Sequence, residues 1–393
     1  TEIVHLGVCH SGGFGLVRET MQLSTAAFCA AVGGGLFFAR LKAQRSDSKN
    51  EAKEATNDAA ALASNRLYTI FGGLLTSSTI YVGDQLGIYE EMVRLGPITS
   101  KDLAEETGLH ERWLHEWLLQ NAADKLLTYD PKTKKFALAP GYDQALTNPN
   151  SVGLFQMGPG LCARISSLKN VMKDPHGLGE PYDGTFKDDF AKAIERIHTE
   201  IYERIIPDEV LPSPKVAGGV LPELMEKGGI RIAEVGCGTA SGVVELARRY
   251  PSTHFHGFEL SEEAITHARN RIARSRVQNA TINDVRDSPM ESDSFDFVYC
   301  HDVIHDCAHP MPLIHDVFRG LRSGGSFFIV DIKTHETDEA TIADPTARVR
   351  LGFSCGLCLH SGSSEKDGAR LGTMGLRPSI FQNMLEEAGF VDF

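Results

Sequence analysis

The stretch "AEVGCGTASG", Ala233 to Gly242, decides how the chain folds. A strand-like run, Ile230 to Val235, leads into it and an amphipathic helix, Val243 to Arg249, leads out. Strand, glycine turn and helix form the entry to a nucleotide-type α/β site. A dinucleotide fingerprint would read G-x-G-x-x-G with a pyrophosphate on the helix N-terminus. Here the glycines are Gly236, Gly238 and Gly242, the third one place late, and Glu234 stands at the strand's end. A carboxylate repels a phosphate and attracts a cation. The loop therefore favours S-adenosylmethionine, which carries a sulfonium and an ammonium and no phosphate.

Two further acids follow the same logic. "STHFHGFELS" reads as the second strand and ends in Glu259, with Leu260 behind it; an acid there accepts ribose hydroxyls. "ATINDVRD" reads as the third strand and ends in Asp287, where a carboxylate can take an adenine amino group. The fourth, "SFDFVYC", runs into "HDVIHDCAHP", and the turn "SGG" precedes a fifth strand, "SFFIVDI". Acids at successive strand tips after a glycine loop are far more specific than the loop alone.

On the segments "EVGCGTASG", "GFEL", "VRD", "SFDFVYCHDVIHD", "LRSGG" and "EEAGF" the chain resembles the class I S-adenosylmethionine-dependent methyltransferases, and within them the winged-helix group, over about Leu67 to Phe393. The resemblance implies a Rossmann-like α/β domain. It also implies that Glu234, Gly236, Gly238, Glu259, Leu260, Asp287 and His301 hold the methyl donor. Plant-type O-methyltransferases carry a His-Asp-Trp motif after the fourth strand whose histidine is the general base. "IHDC" is similar but lacks the tryptophan, which places His305 in that role with Asp302 and Asp306 as orienting or substrate-binding acids. Independently, a histidine near neutral pKa can take the proton of a hydroxyl as it attacks the methyl carbon. A buried or helix-capping histidine is the competing reading.

Upstream, "GPITSKDLAEETGLHERWLHEWLLQNAADKLLTYDPKTKKFALAP" reads as helix, turn, helix and hairpin, a winged-helix pattern. Its second helix, about Leu109 to Ala123, carries Glu111 and Glu116 against Arg112, with Leu109, Trp113, Leu114, Trp117 and Leu118 as a packing stripe. It reads as a dimerisation element or a lid over the catalytic domain. The net charge of −13 points the same way, away from nucleic acid. Eight cysteines in 393 residues do not make a disulfide framework. Histidines four apart (His301, His305, His309) and the Cys355, Cys358, His360 set offer metal-type spacings, but Pro310 interrupts the first and an apolar run surrounds the second. No metal is expected.

The N-terminal extension, 1–64, is different in kind. Thr20 to Ala39 is free of charge, and Arg40, Lys42, Arg45 and Lys49 follow. The expectation is a single transmembrane helix over 20–41, with the globular part on the cytosolic, stromal or matrix side. The expected domains are 65–146 (winged helix), 147–214 (helical connector) and 215–393 (donor-binding domain). The last segment, "FVDF", supplies only the start of a sixth strand, so the expectation is either that the C-terminal hairpin is incomplete in this sequence or that the edge of the fifth strand meets a neighbour. Two readings follow. One is a membrane-anchored methyltransferase of a small-molecule acceptor, most naturally at oxygen. The other is a non-catalytic accessory subunit of an organellar photosynthetic or respiratory membrane complex.

Overall fold

The computed structural model describes residues 48–181, 188–214 and 216–391. The chain divides into two units, 1–74 and 75–393, and helix α1 (Ser48–Gln85) runs through the boundary.

In the second unit α2 (Ile88–Leu95), α3 (Ser100–Thr107) and α4 (Glu111–Ala123) lead into a hairpin of β1 (Leu127–Asp130) and β2 (Lys135–Leu138). Thr99 caps α3 by accepting the Asp102 N–H, and Asp130 sets the turn by accepting from Lys132 N and Thr133 Oγ1. Tyr89, Leu103, Leu118 and Phe136 are fully enclosed at the centre. The expected stripe on α4 holds for Leu114, Trp117 and Leu118; Trp113, one helical turn before Trp117, is 78% exposed. Trp117 is fixed instead by donating to the Thr79 carbonyl at 2.8 Å.

A short α5 (Tyr142–Ala145) follows the hairpin, and the connector is helical: α6 (Pro149–Gln156), α7 (Gly158–Val171) and α8 (Asp188–Glu200). α8 continues as a π-helical stretch, Ile201–Val210, that contains Pro207, a residue without the N–H a regular helix would need. α9 (Leu221–Lys227) then leads to a five-stranded sheet of β3 (Arg231–Val235), β4 (His254–Glu259), β5 (Ala280–Asp284), β6 (Phe295–His301) and β7 (Leu321–Val330). The order is β5-β4-β3-β6-β7 and every pair is parallel. Parallel pairing requires crossovers, supplied by α10 (Ser241–Arg249), α11 (Glu262–Ser275) and α12 (Pro310–Gly320). α13 (Asp338–Ala343), α14 (Ala347–Phe353), a π-helical turn (Ser354–Cys358), α15 (Leu359–Gly362) and α16 (Pro378–Ala388) complete the order. β6 is buried at every position except Asp296, as a strand covered on both faces must be.

Because β4 and β6 leave β3 in opposite directions, a crevice opens beyond the carboxyl ends of β3 and β6. Two strand boundaries differ from expectation. β5 stops at Asp284, so Asp287 lies three residues past the strand, and the "SGG" turn falls inside β7, opposite a register shift at Phe295/Phe297.

The fold is corrected in one respect. Among the described residues no helix is long and apolar enough to cross a membrane. α1 has the length, but its sequence places Lys49, Glu51, Lys53, Glu54, Asp58 and Arg66 along it, too many charges for a hydrocarbon layer. The expected transmembrane helix over 20–41 lies outside the described residues, and the described architecture is α/β with a winged-helix domain.

Candidate active site at the carboxyl ends of β3, β4 and β6

The glycine loop is shaped by contacts that side chains would block. Gly236 has φ 67°, and a Cβ there would stand 2.5 Å from Val303 Cγ2. Gly238 has φ 53° and donates its N–H to Glu259 Oε2 at 2.8 Å. At Gly242 a Cβ would meet Glu234 Oε2 at 2.8 Å. Glu259 accepts two more backbone N–H groups through Oε1, from Leu260 at 2.8 Å and Ser261 at 3.0 Å. This carboxylate therefore ties the loop to the tip of β4, while Leu260 beside it is 61% exposed. Asp287 is exposed in a turn, its N–H on the Asp284 carbonyl. Asp284 itself is gripped by Arg286 at 2.6 and 2.9 Å, which holds its carboxyl at about 2.

Glu234 lies under the loop, 1% exposed. Tyr299 on the adjacent strand donates its hydroxyl to Oε2 at 2.9 Å. Burial pushes the carboxyl up to about 8, against the pull of the Tyr299 bond and with the Glu259 charge adding to the rise. Oε1 is enclosed and has no hydrogen-bond partner among the described residues.

The sequence carries the pair His-Asp twice, at 301–302 and 305–306, and the structure gives the two different surroundings. His301 ends β6. Its Nδ1 lies 3.3 Å from the Tyr202 hydroxyl, and its ring meets those of His198 and Tyr202 edge-on, centroids 4.6 and 5.5 Å away. Burial, reinforced by His198, lowers it to about 4, so it is neutral at physiological pH. Asp302 takes the left-handed conformation, φ 62°. Its carboxylate lies 3.7 Å from His198 Nε2 on one side and 3.8 Å from His305 Nε2 on the other. His305 is 1% exposed, with Nδ1 2.7 Å from Asp331 Oδ1 and Nε2 3.3 Å from Asp306 Oδ1. Burial would lower it, but its bonds to Asp331 and Cys358 and the Asp306 and Asp331 charges outweigh that and raise it to about 12. His309 points elsewhere, to Glu365 at 2.9 Å, and His360 Nδ1 accepts from Glu180 N–H.

The structure thus gathers Glu234, Gly236, Gly238, Glu259, Leu260, His301, Asp302, His305 and Asp306 around the ends of β3, β4 and β6, and leaves Asp287 beyond β5. It adds groups that sequence reasoning missed. His198 and Tyr202 come from the connector, where no motif marks them. Asp331 follows β7 and carries the same strand-tip signal as the other acids. Glu195 on α8 accepts from Thr239 Oγ1 of the glycine loop at 3.1 Å and pairs with Arg271, which donates to the Thr239 carbonyl. Its neighbour Arg196 forms a two-pronged pair with Asp84 at 2.6 and 2.8 Å and donates to Gln156. Gln85, Gln156, Lys192, Glu195 and Arg196 line a cavity of about 340 Å³.

Comparison with known proteins agrees with this fold. Residues 226–389 match the family described as "Methyltransferase domain", and residues 75–148 match the "Rv2258c-like winged HTH domain". A phthiotriol/phenolphthiotriol dimycocerosates methyltransferase of Mycobacterium tuberculosis is 28% identical over 123 residues, 31% of this chain and 45% of that protein. The match thus spans less than half of the relative's length. Among solved structures, a putative O-methyltransferase from Nostoc punctiforme superposes with a TM-score of 0.60 at 14% identity, covering 84% of this chain and 93% of that one. Human N-acetylserotonin methyltransferase, solved in complex with S-adenosylmethionine, gives 0.57 at 17% identity, covering 84% and 93%. Neither membrane anchoring nor a place in a membrane complex draws support from these findings. The chain carries a methyltransferase domain over residues 226–389, preceded by a winged helix-turn-helix domain over 75–148, in a fold shared with methyltransferases of known structure, and family and neighbours support S-adenosylmethionine as the cofactor.

Proposed function

We propose that the chain transfers a methyl group to an oxygen atom of a small molecule, with 65–146 as the winged-helix domain, 147–214 as the connector and 215–393 as the donor-binding domain. The glycine loop leaves room where side chains would intrude, and Glu234 Oε1 is a buried acceptor without a donor. Both features suit a ligand with hydroxyl and ammonium donors. Glu259 takes the ribose hydroxyls, exposed Leu260 packs on the adenine, and Glu234, Gly236 and Gly238 border the methionine end. Asp284 is engaged by Arg286, which leaves Asp287 as the carboxylate for the adenine amino group.

When bound, S-adenosylmethionine supplies an electrophilic methyl group. The observation that carries the chemistry is the place of His301 at the end of β6, where its imidazole faces the connector's His198 and Tyr202. With its hydrogen on Nδ1, donated to the Tyr202 oxygen, Nε2 takes the proton that the acceptor hydroxyl loses. Asp302 lies between His198 and the buried His305–Asp306 pair and orients the imidazoles. His305, enclosed at 1% exposure, backs the site rather than touching the acceptor. O-methylation is favoured by the neighbours' fold and by this base.

The test is His301→Ala assayed against a panel of small hydroxylated acceptors. Turnover falls by roughly 10²–10⁴-fold, as for a lost general base, while donor affinity measured by calorimetry stays within a few fold. Unchanged turnover would remove His301 from this role.

A further inference from the structure

Neither metal-type spacing in the sequence forms a set, yet one member of each meets the other behind the end of β6. His305 from the loop after β6, Asp306 beside it and Cys358 from the π-helical turn bring one donor atom each to within 4.8 Å of the others. His305 Nε2 and Asp306 Oδ1 are 3.3 Å apart. In a tetrahedral zinc site, bonds of about 2.0–2.3 Å separate neighbouring donor atoms by roughly 3.3–3.8 Å.

Two independent observations point to a ligand there. Asp306 Oδ1 is sealed from solvent and has no donor in good hydrogen-bond geometry among the described residues; the groups beside Asp306 are His305 Nε2 and the Cys358 thiol, the other two members of the set. A buried carboxylate oxygen without a donor is costly, and a cation removes that cost. On the far side of the ring, Asp331 Oδ1 holds Nδ1 at 2.7 Å and also accepts the Ile332 N–H. A carboxylate behind one imidazole nitrogen fixes the tautomer and turns the other nitrogen's lone pair inward, the arrangement that backs zinc-bound histidines.

The geometry points to a divalent, zinc-class ion held by His305 Nε2, Asp306 Oδ1 and Cys358 Sγ, with Asp331 orienting the imidazole. Binding displaces two protons to solvent, one from the Cys358 thiol and one from Nε2 of the protonated His305, and leaves a thiolate and a neutral imidazole on the metal. With His305 1% and Cys358 4% exposed, the centre is closed. It fastens the loop that follows His301 and Asp302 to the Ser354–Cys358 turn, and so fixes where β6 ends. This goes beyond methyl transfer and does not depend on it.

The experiment uses the full chain, expressed with zinc and dialysed exhaustively. Elemental analysis then finds one zinc per chain. Exchange into cobalt(II) gives a strong near-ultraviolet thiolate-to-cobalt band, which disappears in Cys358→Ser and weakens in Asp306→Asn. Should Cys358→Ser fail to fold, the elemental analysis and cobalt titration of the unaltered chain decide. A folded chain that keeps no zinc and gives no cobalt band, or a band unchanged in folded Cys358→Ser, overturns the site. Metal content is read without any acceptor, so failure here and failure of the methyl-transfer reading are distinguishable.

Discussion

Replacing Glu259 by glutamine separates the charge of this side chain from its shape. In the structure its two oxygens accept three backbone N–H groups, one from the glycine loop and two from Leu260 and Ser261 just before α11. A glutamine keeps one oxygen, which can go on accepting from Leu260 and Ser261. Its other position becomes an NH₂ facing the Gly238 N–H at the 2.8 Å where an acceptor stood. One charge-assisted bond is lost, and in the donor complex the same position can no longer accept from a ribose hydroxyl. At about 1.5–3 kcal/mol for a hydrogen bond to a charged group, donor affinity falls roughly 10- to 150-fold. Calorimetry with S-adenosylmethionine, alongside circular dichroism to show the fold intact, reads this directly. A dissociation constant within about threefold of the parent, less than 1 kcal/mol, would refute the assignment of Glu259 to the donor.

Other substitutions probe other joints of the molecule. Glu234 has its folded pKa raised to about 8 from an ordinary 4.5, so the native state holds the proton longer than the unfolded chain and stability falls as pH rises from 4.5 towards 8. Glu234→Gln, which can still accept from Tyr299, should flatten that slope in thermal melts taken across the window; an unaltered slope would place its origin elsewhere. Asp84, its side chain 3% exposed, faces Arg196 at 29%. Asp84→Asn should cost about 2–3 kcal/mol, less than a fully buried pair because Arg196 keeps some solvent, and denaturant titration showing under about 0.5 kcal/mol would count against that pair as a support of α8.

Much of the catalytic half was legible because its signals are local. A glycine loop has to follow a strand and precede a helix, so "AEVGCGTASG" announced β3 and α10 together, and Glu234 and Glu259 stand at their strand tips as read. The β5 boundary was misread because "VRD" continues an extended-looking pattern, whereas Arg286 folds back onto Asp284 and ends the strand. His198 and Tyr202 were invisible for a different reason. Their importance comes from α8 and its π-helical continuation bringing them against His301 at the end of β6, a long-range packing fact with no periodicity of its own. The two His-Asp pairs also differ in burial, His301 8% and His305 1% exposed, which dipeptides of identical sequence do not reveal. The apolar stretch 20–41 was read as a membrane helix from hydropathy alone, and no described helix bears that out.

The strand order has a consequence for how the chain reaches this state. The central strand β3 pairs with β4 at Arg231↔His254 and with β6 at Ile232↔Phe297, partners 23 and 65 residues further along. Until β6 has been made, the middle of the sheet lacks one flank and Ile232 and Val235 have only part of their shelter. The winged-helix domain, by contrast, closes its hairpin between Leu127 and Leu138 and is complete well before the sheet exists. Synthesis from the N-terminus therefore delivers a locally paired domain first and a slowly closing parallel sheet afterwards. The interval in which β3 waits for β6 is when this chain is most exposed to aggregation, and refolding of the isolated chain should be slowest at that step.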